Sequence, residues 1–492
     1  MTFFGESFYM LLKIKTALAT VVFVSHLALA QTSPSTETPK IYEGLQPIVR
    51  IKGAPPQLSS LEERMRFHKV PGVSIAFLQD HKVVWTYTAG VTDFESNCPI
   101  DENTVFQAAS ILKPVFATVL MKYREQHGLD LDANVNDLLK SWQLPTYVWE
   151  EKKPVTLRRL LSHSAGTIVQ GFIGYASGET VPTISALLDG TKPSNSEAVL
   201  VDIEPGTKFR YSGGGTTLAQ LTLRDISGTP LPPLAQQLVF EPLGMHHSQF
   251  AQPLTGNLAA NAAVPHRSGG KPVEGGAYTY VAMAAAGLWT TPSDLMRFAG
   301  AIQLSAKGAA QTLWSQETVG EMLSSQWNSM GIGFYLEGDG PFTAFYHTGG
   351  NEGFRSYFYA HTETGDGIAI MTNSDAGDVL TSEILSRVNE IYGWADYQPI
   401  LKTVLPFSQE LQDSLVGTYE VKQPIQALLE IKKDGKDLKM NLLEHIVDVR
   451  FFVESDTSIF SLTGIDVSVI RDKNGKVKSL KFWGGEARKI AE

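Results

Sequence analysis

The sequence has little cysteine and no concentration of positive charge. Among its 492 residues there is one cysteine, Cys98, so an internal disulfide and a thiolate zinc cluster are both excluded. Cys98 lies in a predicted turn without any activating pattern, and we interpret it as an incidental thiol rather than a nucleophile. The chain has 51 acidic residues against 41 basic ones and no basic run, and we therefore expect no nucleic-acid partner.

Two common catalytic motifs are also missing. There is no Gly-x-Ser-x-Gly elbow, which argues against an α/β-hydrolase. There is no His-Glu-x-x-His motif, and His246 and His247 are adjacent rather than one helical turn apart. We therefore expect neither a metal nor a cofactor. The expected partner is a small-molecule or peptide substrate.

The first thirty residues differ from the rest of the chain. Lys13 and Lys15 precede an apolar stretch at 16–29, which ends in an Ala-x-Ala site at 28–30. This order is typical of a secretory signal, and the stretch is short for a transmembrane helix. We predict a signal peptide over 1–30, with an uncleaved anchor as the alternative. The protein is then exported, periplasmic or secreted, with no strong membrane signal beyond this segment.

The pattern after a polar linker at 31–44 predicts a large mixed domain over 45–395. β-rich runs at 73–78 and 83–87 predict a hairpin. A helical middle and a later block of strands ending in a helix follow. This order predicts one α/β (α+β) unit, in which both ends of the domain complete the sheet.

The last part of the chain changes character. After a linker at 396–410, residues 411–492 consist of short alternating runs that predict a small all-β domain. Asp434-Gly435 and Asn474-Gly475 supply the positive φ that tight hairpin turns need. We therefore predict a small β-barrel-like accessory domain at the C-terminus.

Ser110 and Lys113 are the first candidates for catalysis. On a helix, positions i and i+3 lie on one face, so the hydroxyl and the amine can meet. A serine nucleophile needs a base, and a lysine serves where burial lowers its pKa. Pro114 is tolerated only in the first turn of a helix, which predicts that Ser110 lies at a helix start. Unpaired N–H groups there favour developing negative charge. Alone, the pair also fits a surface capping serine.

Tyr211 is the second candidate. It precedes Ser212 and three glycines at 213–215, and it follows a turn that we expect to lead into a short strand. A tyrosine among charged groups can act as a general base or proton relay. The glycines would let backbone or substrate approach closely. A buried core tyrosine next to a flexible loop is the alternative interpretation.

His347 opens the third candidate, His347-Thr348-Gly349-Gly350, which we expect at the end of a strand with a turn continuing at 351–353. The stretch offers a titratable group, a hydroxyl and backbone N–H groups at a strand edge. A structural histidine is the alternative.

Taken together, the order of the three motifs resembles that of the serine β-lactamase and penicillin-binding-protein superfamily. Further stretches resemble its class C-like branch, which includes esterases and D-peptidases. They are 70–74 (VPGVS), 106–114 (FQAASILKP), 155–166 (VTLRRLLSHSAG), 204–206 (EPG) and 241–245 (EPLGM). The resemblance covers about residues 45–395. It implies an antiparallel sheet flanked by helices, with a helical subdomain, as in the β-lactamase/transpeptidase-like fold.

The resemblance also implies roles for individual residues. Ser110 would be the acylated nucleophile, with Lys113 and Tyr211 as the base and proton relay. His347 would stand where the family has Lys or His before Thr-Gly. The N–H groups of Ser110 and Gly350 would form the oxyanion hole. The implied substrate-binding residues are Ser212, Gly213, Thr348, Gly349 and Gly350. His163 lies in a stretch that the family treats as structural, and it receives no chemical role.

One departure narrows the implied activity. The family's middle motif is usually Tyr-x-Asn, whereas this chain has Gly213 in the third position. The amide that contacts the substrate carbonyl is missing, which fits an esterase or peptidase better than an efficient β-lactamase. We therefore expect an exported serine hydrolase that acts through an acyl-enzyme on an ester, amide, D-amino-acid peptide or β-lactam bond. The alternative is a non-catalytic penicillin-binding receptor or sensor.

Overall fold

A computed structural model describes residues 40–338, 343–394, 397–422, 427–435, 437–442, 446–482 and 485–491. The predicted signal peptide at 1–30 and most of the linker at 31–44 lie outside these residues. Two compact units are present, residues 68–378 and the described parts of 1–67 together with 379–492. The domain limits at 395 and 411 fall inside the second unit and stay predictions.

A six-stranded antiparallel sheet is the frame of the 68–378 unit. Its strands are β1 Gly72–Gln79, β2 Lys82–Gly90, β3 Tyr335–Glu337, β4 Ala344–Asn351, β5 Phe354–His361 and β6 Gly367–Thr372. They lie in the order β2-β1-β6-β5-β4-β3. The N-terminal hairpin thus completes the sheet beside β6, as the sequence predicts. β3 pairs with β4 from Ala344 to Tyr346, so from His347 onward β3 leaves the outer edge of β4 uncovered.

Helices pack on this sheet and form a separate subdomain. The longer ones are α1 Leu112–His127, α2 Gly213–Ser227 and α3 Pro292–Ala306. The shorter ones are Val135–Leu138, Leu157–Leu161, Ile184–Leu188, Leu231–Ala235, Glu241–Leu243, Asn257–Ala260, Met283–Ala286 and Gln316–Met322. A 3-10 turn at Ala109–Ile111, a π turn at Gln236–Phe240 and a strand pair, Phe106–Gln107 with Trp289–Thr290, complete the unit.

The core of this unit explains where the catalytic candidates lie. α1 is buried over its first ten residues, from Leu112 to Met121, because that stretch is apolar on every side except at Lys113 and Thr118. It ends at Gly128, whose left-handed φ of 67° terminates the helix. Leu112, Phe298 and Phe358 belong to one continuous apolar core that joins helices and sheet. The 3-10 turn Ala109–Ile111, which leads into α1, packs against β4 and β5.

The second unit contains a closed eight-stranded barrel. Its strands are β7 Gly417–Val421, β8 Ala427–Asp434, β9 Asp437–Leu442, β10 Ile446–Ser455, β11 Ser458–Ser461, β12 Asp466–Arg471, β13 Val477–Phe482 and β14 Gly485–Ala491. Neighbours in sequence pair throughout, and β14 returns to β7. The other elements are helices Leu61–His68, Gly377–Tyr392 (from residue 379 onward) and Gln409–Leu415 and the parallel pair Val49–Ile51 with Ile400–Lys402. Apolar side chains such as Tyr419, Leu429 and Phe451 fill the barrel.

The predicted fold class, a mixed β-lactamase/transpeptidase-like domain followed by a small all-β domain, is therefore confirmed. Among the described residues, no helix is long and apolar enough to cross a membrane.

Candidate active site

Ser110 and Lys113 meet at the start of α1. Ser110 lies in the 3-10 turn that runs into the helix, and both side chains are 4% exposed. Lys113 Nζ donates hydrogen bonds to Ser110 Oγ and to the Ala285 carbonyl oxygen, both at 2.9 Å. Ala109, just before the serine, has a φ of 48°, a left-handed conformation that is strained for a residue with a Cβ. The backbone is thus turned sharply where the hydroxyl is presented.

Tyr211 faces the same pair. Lys113 Nζ lies 4.8 Å from the centre of the Tyr211 ring, and the tyrosine is buried. The short strand expected directly before Tyr211 is not formed, since residues 204–210 are a turn followed by irregular backbone. The following glycines are not a flexible loop either, since they form the first turn of α2.

Packing explains why this helix begins with glycines. The N–H groups of Gly213 and Gly214 donate to the carbonyls of Gln170 and Val169, at 2.8 and 2.9 Å. A Cβ at Gly213 would lie 3.0 Å from the Gln170 carbonyl oxygen, tighter than ordinary contacts. The glycines therefore allow close approach of a backbone segment, at residues 169–170, rather than of a substrate. Residues 170–172 lie beside Gly213, the position where the resembled family has asparagine.

Ser212 has a structural partner of its own. Its hydroxyl accepts the N–H of Gly215 at 2.9 Å, which caps α2. It also donates to the Ile168 carbonyl at 2.9 Å. The Ser212 hydroxyl is therefore engaged within the fold, and the predicted substrate contacts of Ser212 and Gly213 stay predictions.

His163, which received no role in the sequence analysis, holds the tyrosine segment. Its Nδ1 accepts the N–H of Ser212 at 3.2 Å, and its carbonyl accepts the N–H of Arg210 at 2.7 Å. Its ring lies 4.4 Å from the Tyr211 ring, centre to centre. Burial, then the charge of Lys113, lowers the pKa of His163 well below its usual value, so it is neutral here.

His347 lies inside β4 rather than at its end. The strand continues through Gly350 to Asn351 and turns at residues 352–353. His347 Nδ1 donates to the Thr348 carbonyl at 2.6 Å, and the side chain is fully buried. Burial, then the charge of Lys113, lowers the pKa of His347 to about 3, although the bond to Thr348 raises it somewhat. His347 is therefore neutral at physiological pH.

The remaining part of β4 faces the serine. A Cβ at Gly349 would overlap the Ala108 carbonyl oxygen and lie 2.5 Å from Ser356 Oγ, so glycine alone lets β4 approach the Ser110 turn this closely. The two-residue turn makes Asn351 and Phe354 a hydrogen-bonded pair, and such pairs alternate along the ladder. The N–H of Gly350 then points away from β5, toward the edge that β3 leaves uncovered.

The four predicted catalytic residues thus come together, although they are far apart in sequence. The centres of the Tyr211 and His347 rings are 6.2 Å apart. The Tyr335 ring lies 5.2 Å from His347 and 6.4 Å from the half-exposed Phe209, which gives this side an aromatic wall. Across the described ranges, no group of three or more His, Cys, Asp or Glu side chains is arranged to hold a metal ion.

Comparison with known proteins gives a consistent result. The family model described as Beta-lactamase matches residues 59–388. Penicillin-binding protein 4 of Amycolatopsis lactamdurans is 25% identical over 66% of this chain and 86% of its own length. The D-aminopeptidase of Gluconobacter oxydans is 23% identical, covering 77% and 68% of the two chains. Esterase EstB of Burkholderia gladioli is 26% identical over 42% of this chain, and the match spans 53% of the esterase.

Solved structures share the fold. The octameric penicillin-binding protein homologue from Pyrococcus abyssi superposes with a TM-score of 0.56 at 20% identity, over 87% of this chain and 98% of its own. At this identity the likeness shows the fold alone.

Proposed function

The chain belongs to the β-lactamase family and is a serine hydrolase. We propose that Ser110 attacks the carbonyl of an ester or amide that carries no free carboxylate. The observation that carries this proposal is the 2.9 Å contact between Lys113 Nζ and Ser110 Oγ, both buried at the start of α1. A buried amine in hydrogen-bond reach of a serine hydroxyl is the arrangement that an activated nucleophile requires.

The proposed reaction has two halves. The unprotonated form of the Lys113 amine takes the proton of Ser110 Oγ as Oγ bonds to the carbonyl carbon. The tetrahedral oxyanion then lies between the N–H groups of Ser110 and Gly350. The oxyanion collapses, the alcohol or amine leaves with a proton relayed through Lys113 and Tyr211, and Ser110 is acylated. A water molecule then attacks the acyl carbon and gives up its proton to Lys113, forming a second tetrahedral oxyanion. As that oxyanion collapses, the bond between the acyl carbon and Ser110 Oγ breaks, Lys113 returns the proton to Oγ, and the acid is released.

His347 limits the substrate class. A lysine in its place would present a cation to a substrate carboxylate, whereas His347 is neutral at physiological pH, and its Nδ1 proton is committed to the Thr348 carbonyl. The aromatic wall of Tyr335 and Phe209 beside it favours apolar groups. Esters and amides without a carboxylate, including those of D-amino acids, are therefore proposed as substrates over carboxylate-bearing penicillins.

A substrate comparison tests this proposal. We expect p-nitrophenyl esters and D-amino-acid p-nitroanilides to be hydrolysed with a kcat/KM at least about tenfold above that of a chromogenic cephalosporin bearing a free carboxylate, because one unpaired charge costs at least this much. The variant Ser110→Ala should lose turnover of all of them. Full turnover by Ser110→Ala would contradict the proposed nucleophile. Stable labelling by a fluorescent penicillin without any ester turnover would favour the receptor alternative.

We also propose that the protein is exported, on the strength of the 1–30 segment described above. Fractionation of cells that express the full chain with a C-terminal tag tests this. Mature protein that begins near Gln31, outside the cytoplasm, is expected. Full-length protein in the cytoplasmic fraction alone would contradict export.

A further inference from the structure

Two buried amide side chains join the two segments that carry the oxyanion-hole N–H groups. Asn351 Nδ2 donates to Gln107 Oε1 at 2.7 Å. Gln107 precedes Ser110 by three residues, and Asn351 directly follows Gly350. Gln107 is 1% exposed and Asn351 7%. A direct bond thus spans the gap between the Ser110 turn and β4.

The same pair reaches the segment that holds Lys113. Asn351 Nδ2 also donates to the Ala286 carbonyl at 3.0 Å. The neighbouring carbonyl, that of Ala285, is the one that accepts Lys113 Nζ. Gln107 Nε2 donates to the Tyr278 carbonyl at 2.9 Å. The serine turn, β4 and the helix Met283–Ala286 are therefore linked through two side chains.

A second contact, from the neighbouring strand β5, supports the first. Ser356 Oγ donates to the Ala108 carbonyl at 2.9 Å, directly beside the place where Gly349 meets the same carbonyl. Two short polar contacts, Asn351 to Gln107 and Ser356 to Ala108, thus hold the residues just before Ser110 against β4 and β5. An oxyanion hole works only if both donors lie about 2.7–3.1 Å from the developing charge.

We propose that Gln107 and Asn351 act as one positioning unit that fixes the distance between the Ser110 and Gly350 N–H groups. The inference rests on the proposed function, since it assumes a tetrahedral intermediate on Ser110. Neither side chain is assigned any contact with the substrate. Their effect is confined to the state in which the oxyanion forms, so loss of the pair lowers kcat and leaves KM nearly unchanged.

The test uses the full-length protein with Asn351→Leu, Gln107→Met and the double variant, all of similar volume and uncharged. Stopped-flow release of p-nitrophenol gives the acylation rate constant, and a boronic acid, which forms a tetrahedral adduct on serine, reports the hole directly. Each single variant should acylate about 10–100-fold more slowly, with boronic acid inhibition weakened to match and KM within about twofold. The double variant should be no more than about twofold slower than the slower single variant, because each change already breaks the same bond, the one between Asn351 and Gln107.

Asn373→Leu is the matched control. Asn373 is a buried amide that ties the Thr92 and Val264 carbonyls at the end of β6, two strands away from β4. The Asn373→Leu variant should have a lower melting temperature than the wild type but an acylation rate constant within about twofold of it. An equal acylation loss in this control would show a general effect of destabilisation and overturn the proposal.

Other outcomes are equally decisive. Folded single variants that acylate at the wild-type rate, or losses that multiply in the double variant, would refute the positioning unit. If Asn351→Leu does not fold, Asn351→Ser takes its place with the same expectations. A wild-type protein with no acylation burst and no boronic acid inhibition would instead refute the proposed function, because the pair then has no hole to position.

Discussion

The buried neutral His347 predicts a specific pH dependence of stability. Burial and the charge of Lys113 lower its pKa from 6.5 to about 3. Between these two values the unfolded state binds a proton that the folded state does not, so the free energy of unfolding falls as the pH falls through this window. Above pH 6.5 the contribution is complete. At pH 5 the difference spans about 1.5 pH units, which corresponds to a loss of about 2 kcal/mol from this side chain.

The variant His347→Asn isolates this effect. Asparagine keeps a donor near the Thr348 carbonyl but does not titrate. Urea unfolding at pH 7.5 and pH 5.0 gives the change in unfolding free energy for each protein, and all other titrating groups are common to both. The wild-type change should exceed that of the variant by about 2 kcal/mol. Equal changes in the two proteins would refute the conclusion that His347 is held neutral.

Three further substitutions test the rest of the site. His163→Asn keeps an acceptor for the Ser212 N–H and should be more stable by about 1–2 kcal/mol in urea unfolding than His163→Phe, which removes it; equal stability would contradict the role of that bond. Gly349→Ala should slow acylation about 100-fold, since its Cβ forces β4 away from Ala108, and an unchanged rate constant would contradict the close approach. Gly213→Asn should cost about 1–3 kcal/mol of stability and restore no cephalosporin turnover, whereas a gain in that turnover would contradict the packing account.

Local patterns predicted much of the fold. The β-rich runs at 73–78 and 83–87 became strands β1 and β2, and Gly435 and Gly475 lie at the hairpin turns of the barrel with φ of 63° and 80°. These features depend on neighbours in sequence, which alternation and turn residues report. The meeting of Ser110 with Lys113 is local as well, because it depends on one helical turn.

The features that the sequence did not predict depend on contacts between residues far apart in the chain. Gln107 and Asn351 are 244 residues apart, and no local pattern marks an amide pair across that separation. The sequence gives His163 no chemical role, because it lies in a stretch that the family treats as structural. Its left-handed φ of 54° and its bond to Ser212 appear only in the folded chain. The glycines after Ser212 suggested flexibility, but close packing of residues 169–170 makes them a helix start.

The acyl-enzyme on Ser110 is the central claim, and intact-protein mass spectrometry tests it most directly. Acid quenching of the protein during turnover of a p-nitrophenyl ester should give a species heavier by the mass of one acyl group less one hydrogen. Peptide fragmentation should place that group on Ser110, and Ser110→Ala should show no such species. Ester turnover with the acyl group on another residue, or with no acylated species even when the deacylation step is slow, would contradict the account.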